Sequence, residues 1–214
     1  MRFRPAWLVV LFLGLAGVVA ATLLARRYSH AQQLGAPAAA ALPHGLAVTG
    51  GTPLSVRIKV DPLMQNDPRW GGQKLGTTLE EIRAVGCTLC SLSMALTSQG
   101  FAIDPPSLNT RLAQNSGFTE SGLIIWGSVK SITQKRFVVE VNNHPTHALI
   151  DAQLTKGNPV IAKVLYNNSI WHWVLICGKA DRSYLIHDPL KPQSFQDMTS
   201  YPTGIFAVRY LRPL

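Results

Sequence analysis

The sequence is short of cysteine and of charge. It holds three cysteines, Cys87, Cys90 and Cys177, among 214 residues. That number provides no disulfide framework. Charged residues make up 14% of the chain, and the basic ones form none of the dense runs or stripes that nucleic-acid-binding proteins usually carry. A nucleic-acid partner is therefore not expected.

A long segment without charge lies near the start of the chain. Between Arg4 and Arg26 run 21 residues with no charged side chain, PAWLVVLFLGLAGVVAATLLA. As a helix this segment is about 31 Å long, enough to cross a hydrocarbon core about 30 Å thick. A helix also satisfies its own backbone hydrogen bonds in lipid. We predict that residues 1–27 form a single-pass transmembrane helix that anchors the protein in a membrane.

A cleaved signal peptide is the alternative for this segment. Small residues at Ala20 and Ala31 provide candidate cleavage points, but the apolar stretch is longer than the roughly 7–15 residues of a signal peptide. Arg2 and Arg4 favour a cytoplasmic N-terminus, whereas the pair at 26–27 opposes it. Because a large domain follows a single span, we predict that this domain is exported to the periplasm or the cell exterior.

The remainder divides into a linker and one domain. Residues 28–54 are rich in Ala, Gly and Pro and show no apolar periodicity, which predicts a tether. Residues 55–214 suffice for one sizeable core. Four of the 20 Lys and Arg residues flank the anchor, which leaves 16 against 11 Asp and Glu, a net charge of +5. Such a mild excess is typical of a solvated basic surface.

The order of predicted elements indicates the fold class. Apolar residues at helical spacing predict helices over 87–99, 106–114, 123–133 and 146–156. Short runs rich in branched and aromatic residues predict a strand over 56–60 and antiparallel strands over 159–166, 171–178, 183–189 and 204–211. Helices that precede a meander of strands predict an α+β domain.

Three residues carry the pattern of nucleophilic catalysis. Cys87 opens the first long helix, where free N–H groups and the helix dipole stabilise a thiolate. His172 lies on a predicted strand, opposite in direction to Trp171 and Trp173, so the tryptophans are expected to pack on the core while His172 faces a cleft. Asp188 follows the next strand, where its carboxylate would accept a hydrogen bond from Nδ1 of the histidine.

These residues stand in four segments that resemble the C39-like, bacteriocin-processing cysteine peptidases. GCTLCSLSMAL is similar to the cysteine block of that family, WHWVLICG to its histidine block and YLIHDP to its Asp-Pro block. Upstream, MQNDPRWGG is similar to a segment that precedes the cysteine in the family. The resemblance covers roughly residues 56–211, and the blocks occur in the order that the family shows.

The resemblance implies a papain-like fold and a cysteine peptidase that cleaves a peptide or protein substrate. Together with the predicted N-terminal helix, this predicts a membrane-anchored cysteine peptidase. Cys87 would be the nucleophile, His172 the general base and acid, and Asp188 the group that orients the histidine. Gln65 would donate to the oxyanion together with the backbone N–H of Cys87, a role that suits a neutral amide in a turn-rich loop. No metal or organic cofactor is implied.

The sequence also departs from the family. Cys90 stands where the family more often has Thr or Ser, which creates a C-x-x-C motif, so a redox pair or a zinc site remains an alternative for these cysteines. Neither a multi-span transporter region nor a P-loop is present, so cleavage after a double glycine is not carried over. A peptidoglycan or amide hydrolase with the same layout, and a catalytically silent peptide-binding maturation factor, remain alternative functions.

Overall fold

The computed structural model describes residues 44–214. The predicted anchor over residues 1–27 and most of the predicted linker lie outside the described residues. Within residues 44–214, no helix combines the length and the apolar character needed to cross a bilayer. Strand β1 begins at Thr49, so residues 49–54 of the predicted linker lie in the folded sheet.

The domain has an α+β architecture, as predicted. Its five α-helices, among the described residues, are α1 (Ile82–Val85), α2 (Cys87–Ser98), α3 (Pro105–Gln114), α4 (Val129–Ile132) and α5 (His147–Thr155). Its six strands are β1 (Thr49–Arg57), β2 (Phe137–Asn142), β3 (Val160–Tyr166), β4 (Ile170–His187), β5 (Gln196–Asp197) and β6 (Ala207–Pro213). They form one antiparallel sheet in the order β1-β4-β3-β6-β2, and β5 pairs with β4.

The sheet separates two hydrophobic clusters. Neighbouring strand residues point to opposite faces, so Ile161 joins the cluster that α2 packs against, while Ala162 joins the cluster on the other face. Helix α2 buries Leu89 and Leu92 in the first cluster. Helix α5 packs on the second through Ile150. The fold is therefore held by helices on both faces of one sheet.

Helix α2 ends where the sequence predicts. Gln99 is its C-cap, and Gly100 follows with a φ of +83°, a left-handed conformation that glycine adopts without a steric penalty. The N–H of Phe101 donates to the carbonyl oxygen of Leu96 at 3.0 Å. These contacts satisfy the last carbonyls and fix the length of the helix that presents the cysteine.

Several predicted elements differ from the structure. The two strands predicted over 171–178 and 183–189 are one strand, β4, because its first half pairs with β3 and its second half pairs with β1. Between the two predicted strands, Asp181 adopts a left-handed backbone conformation with a φ of +54°, but the strand continues through it. The helix predicted over 123–133 is only a 3₁₀ turn at Trp126–Ser128 followed by α4. No strand is predicted for residues 137–142, which form β2.

Candidate active site

Helix α2 presents Cys87 at its first position. The preceding Gly86 lies so close to α1 that a Cβ there would stand 2.5 Å from the carbonyl oxygen of Ile82. No side chain caps the start of α2. The first N–H groups of the helix therefore remain available to stabilise negative charge beside the half-buried Cys87.

An unpaired edge of β4 receives the start of this helix. On one edge Trp173 pairs with Lys163 of β3, whereas on the other edge pairing with β1 begins only at Gly178. The hydroxyl of Ser91 donates to the carbonyl oxygen of Trp173 at 3.3 Å, and the backbone N–H of Trp173 donates to the sulfur of Cys87. Because β1 ends at Arg57, which pairs with Gly178, the backbone of β4 around Trp173 is free on that edge to hold the start of α2.

His172 lies between the cysteine and a carboxylate. Its Nε2 is 2.7 Å from Oδ1 of Asp188, and the interaction of its ring with Cys87 lowers the pKa of the thiol. The predicted contact between Nδ1 and Asp188 is therefore wrong. Because Asp188 binds Nε2, Nδ1 is the ring nitrogen left for the thiol.

The side chains at the start of β4 agree with the prediction except at Trp171. Trp171 is 49% exposed and lines the cleft, while His172 is 3% exposed. His172 lines the same cleft although it is buried, and Trp173 packs against the hydrophobic cluster under α2, as predicted. Burial keeps water from the contact between His172 and Asp188 and so strengthens it.

Asp188 is fixed by two further donors. The N–H of Leu190 donates to Oδ1 at 2.9 Å, and the hydroxyl of Tyr201 donates to Oδ2 at 2.5 Å. Asp188 and Tyr201 are both almost fully buried. Sequence reasoning missed Tyr201 because it lies 13 positions beyond Asp188 in no recognisable motif. With His172 included, the carboxylate has a hydrogen-bond donor on each oxygen.

The charges of these groups depend on one another. Burial alone raises the pKa of the Cys87 thiol, but the hydrogen bond and charge of His172 outweigh it, and the pKa is lowered. Burial lowers the pKa of His172, but Asp188 and Cys87 together raise it to about 9. For Asp188 the burial effect is also overcome, mainly by His172, and its pKa is lowered. The site therefore favours thiolate, imidazolium and carboxylate.

Gln65 lies in the same cleft as Cys87 and His172. Its Nε2 donates to the carbonyl oxygen of Arg83 at 2.8 Å, which identifies the nitrogen end of the amide. An amide nitrogen carries two hydrogens, and this contact uses one. The backbone N–H of Gln65 donates to the carbonyl oxygen of Pro189 at 2.9 Å, so the loop is tied to the segment that carries Asp188.

Replacing Gln65 with alanine tests whether this amide acts on the reaction. We expect kcat to fall by about 10²–10³, because one oxyanion donor is lost. The rate at which iodoacetamide alkylates Cys87 should stay nearly constant, because that reaction forms no oxyanion. Gln73→Ala is the matched control, since Gln73 is exposed in the same loop. Full activity of Gln65→Ala on a cleaved peptide would show that Gln65 is only a loop residue.

The other two cysteines have a different environment. Cys90 and Cys177 are both fully buried and, like Cys87, are free thiols. Burial raises the pKa of Cys90 strongly and that of Cys177 to about 12. Within residues 44–214, no group of three or more His, Cys, Asp or Glu side chains lies close enough together to hold a metal ion. Among the three cysteines, therefore, only Cys87 is accessible and has a lowered thiol pKa.

A cysteine at the start of a helix, facing a histidine on an antiparallel sheet, defines the papain-like class of folds. A family model described as the Peptidase_C39 like family matches residues 57–212. The chain therefore belongs to the C39-like peptidase family, which confirms the resemblance seen in the sequence.

Three solved structures are similar to this chain at 18% identity each. The peptidase domain of Streptococcus ComA, a bifunctional ABC transporter involved in quorum sensing, has a TM-score of 0.45, with 60% of this chain and 91% of that one covered. A protein described as a C39-like peptidase from Bacillus anthracis has a TM-score of 0.48, with coverage of 74% and 98%. A double glycine motif protease from an AMS/PCAT transporter, in complex with the leader peptide, has a TM-score of 0.47, with coverage of 77% and 100%. A search of curated proteins found no match.

Proposed function

We propose that this protein is a cysteine peptidase that hydrolyses peptide bonds through Cys87, His172 and Asp188. One observation carries the proposal: Cys87 and His172 line one cleft of about 720 Å³, where His172 lowers the pKa of the Cys87 thiol and its Nε2 lies 2.7 Å from Oδ1 of Asp188. A cleft of that size accommodates several residues of an extended peptide. The family membership supports the same class of reaction.

The reaction begins with attack by the sulfur. The Cys87 thiolate forms a bond to the carbonyl carbon of the substrate, and the carbonyl electrons move to the oxygen. The backbone N–H of Cys87 and the free hydrogen of the Gln65 amide would donate to that oxyanion. When the intermediate collapses, the C–N bond breaks and the His172 imidazolium gives its proton to the leaving amine. The product on the enzyme is a thioester.

Water completes the cycle. Neutral His172 takes a proton from a water molecule, whose oxygen attacks the thioester carbon. Collapse of the second intermediate breaks the C–S bond, releases the carboxylic acid and restores the thiolate beside an imidazolium. Asp188 holds the ring throughout and stabilises its charged form without taking the proton.

Alkylation of the full-length protein tests the nucleophile. At about pH 6, we expect iodoacetamide to modify Cys87 rapidly and to leave Cys90 and Cys177 unmodified, because only the first thiol has a lowered pKa and an accessible surface. The modified residue is identified by mass spectrometry of peptides. Cys87→Ser is the control and should show no fast phase.

His172→Ala tests the origin of the low pKa. Without the imidazolium the thiol pKa rises, and below that pKa the alkylation rate should fall about tenfold for each unit of the rise. A rate unchanged in His172→Ala, or faster labelling of Cys90 or Cys177, would contradict the assignment of Cys87 as nucleophile.

Two features of the proposal rest on sequence alone. The uncharged residues 5–25 support a membrane anchor, and the large domain that follows one span supports export of the catalytic domain. Labelling of Cys87 in intact cells by a maleimide that does not cross membranes tests both orientation and export. Hydrolysis of unstructured peptides, set beside hydrolysis of defined muropeptides, separates a peptidase from a cell-wall amide hydrolase.

A further inference from the structure

The cleft contains two cations that the proposed reaction does not use. Lys163 and Arg209 both line it. On the sheet, Arg209 lies opposite Ile161 and Lys163 lies opposite Ala207, so the two basic residues are diagonal neighbours on one face of the β3–β6 pair. Side chains in that relation are close enough to interact.

Neither cation has an anionic partner within the part of the chain that the structure describes. The guanidinium of Arg209 donates only to uncharged oxygens, those of Asn142, Val208 and Asn143. Its Nε is buried and has no hydrogen-bond partner at all. Arg209 is 8% exposed. Burying a cation without a counter-charge costs free energy, so this arrangement calls for an anion from outside.

Aromatic rings surround the pair. The guanidinium of Arg209 lies 5.3 Å from the ring centroid of Trp173 and 5.6 Å from that of Trp126. Nζ of Lys163 lies 3.9 Å from the centroid of the Trp171 ring. These contacts hold both cations in place and shield them from water, which strengthens their attraction for a negative charge.

Electrostatics agree with this geometry. Burial, and after it the positive charge of Arg209, lowers the pKa of Lys163. Around the cleft, Glu80 is the one carboxylate among the described lining residues, while Arg83 is already paired with Glu81 at 2.7 Å. A bound carboxylate would relieve the repulsion between Lys163 and Arg209.

We propose that Lys163 and Arg209 form a carboxylate-binding subsite that selects acidic substrates. The subsite lies next to the reaction centre, since Lys163 is directly opposite Trp173, whose backbone N–H contacts Cys87. Adjacent strands are about 4.8 Å apart and an extended peptide advances about 3.3 Å per residue. The carboxylate therefore belongs to a substrate residue within about three positions of the scissile bond.

Two sources of that carboxylate share this chemistry. It is either the side chain of Asp or Glu, or the free C-terminus of a short peptide. The inference rests on the proposed peptidase function for its effect on cleavage, but binding at the subsite requires no catalysis. The two are therefore tested separately.

The first test measures cleavage by the detergent-solubilised full-length protein. Peptides in a matched library carry Glu or Gln at each position and a free or amidated C-terminus. We expect kcat/KM to be about 10–100-fold higher for the carboxylate member of one matched pair, as for a charge-assisted contact. If kcat/KM differs between the Glu and Gln peptides, the bound carboxylate is that of a side chain. If kcat/KM falls when the C-terminus is amidated, the bound carboxylate is the C-terminus.

Lys163→Met removes the charge but keeps a long apolar stem. In this variant the ratio of kcat/KM between the carboxylate peptide and its neutral partner should shrink to less than about threefold. Lys156→Met is the matched control, because Lys156 is exposed at the end of α5, and it should retain the full preference. Arg209→Lys keeps a positive charge but lacks the planar fork, so we expect an intermediate preference.

The second test uses Cys87→Ala in the full-length chain and measures retention of the same library on the immobilised protein. Carboxylate peptides should be retained over their neutral partners, and the added substitution Lys163→Met should abolish the difference. If the wild type cleaves no peptide but this difference is found, the peptidase proposal fails and the subsite stands. Equal cleavage and equal retention of the paired peptides, or a preference that survives Lys163→Met, would overturn the subsite.

Discussion

Cys87→Ala is expected to lower peptide hydrolysis by about 10⁵–10⁶-fold while the protein remains folded. The loss is large because no other group can form the thioester, and the remaining members of the site then have nothing to activate. The fold should persist because Cys87 is only half buried at the first turn of α2 and lines the cleft. We expect the free energy of unfolding to change by less than about 1 kcal/mol.

Cys90→Ala is the matched control, one turn along the same helix. Cys90 is fully buried, so its truncation should cost about 1–2 kcal/mol of stability by leaving a small cavity. Its activity should stay within about threefold of the wild type, because the residue is not part of the cleft. Denaturant titration and peptide hydrolysis, measured on both variants, should give opposite patterns. A folded but inactive Cys90→Ala would contradict the assignment of roles.

Asp188→Ala is expected to lower kcat/KM by about 10³–10⁴-fold. The substitution removes the acceptor for His172 Nε2 and leaves the hydroxyl of Tyr201 and the N–H of Leu190 without their partner. The imidazole then loses both its orientation and the charge that stabilises its protonated form. Activity and the alkylation rate of Cys87 should fall together, in contrast to Gln65→Ala.

Asp188→Asn separates orientation from charge. An asparagine oxygen can still accept from His172 and Leu190, while its amide nitrogen can donate to the Tyr201 hydroxyl, so the tautomer is preserved. We expect a smaller loss of activity than for Asp188→Ala, because the acceptor that orients the ring is kept. The negative charge that helps to raise the His172 pKa to about 9 is gone. Because the reaction needs an imidazolium, the alkaline limb of the activity profile should move to lower pH.

Tyr201→Phe should move the alkaline limb of the activity profile to higher pH, opposite to Asp188→Asn. The hydroxyl of Tyr201 is one of the donors that lower the pKa of Asp188. Without it, the carboxylate is shared by fewer hydrogen bonds and therefore stabilises the imidazolium of His172 more strongly. The activity profiles of both variants, measured against pH on one peptide, check the two directions. Identical alkaline limbs in Asp188→Asn and the wild type would show that the carboxylate charge does not act through His172.

Much of the active site could be predicted because it is encoded locally. The start of a helix at Cys87 follows from the apolar spacing after it and from Gly86 before it. The opposed directions of His172 and its flanking tryptophans follow from strand geometry. Gln65 and Asp188 were predicted from the order of the four blocks, and the structure brings all four residues to one end of the sheet, but their catalytic roles stay predictions.

Errors arose where long-range pairing overrides a local signal. The Asp181 turn signal predicted that the chain would reverse, yet β4 continues because β1 supplies a new partner for its second half. The apolar residues over 123–133 fit a helix, but most of that segment packs against the site as an irregular chain and a 3₁₀ turn. Residues 49–54 look like a linker by composition and become a strand by pairing with β4.

By itself the sequence determined the family, the fold class, the nucleophile candidate and the order of the site residues, since each depends on spacing along the chain. Only the tertiary structure decided which nitrogen of His172 faces Asp188, that Tyr201 supports the carboxylate, and that Lys163 and Arg209 share one face of the cleft. The spacing at which apolar residues recur along the sequence specifies the face of a helix or strand on which a side chain lies. The distances between faces of different strands depend on strand register and sheet twist, which are set when the whole sheet assembles.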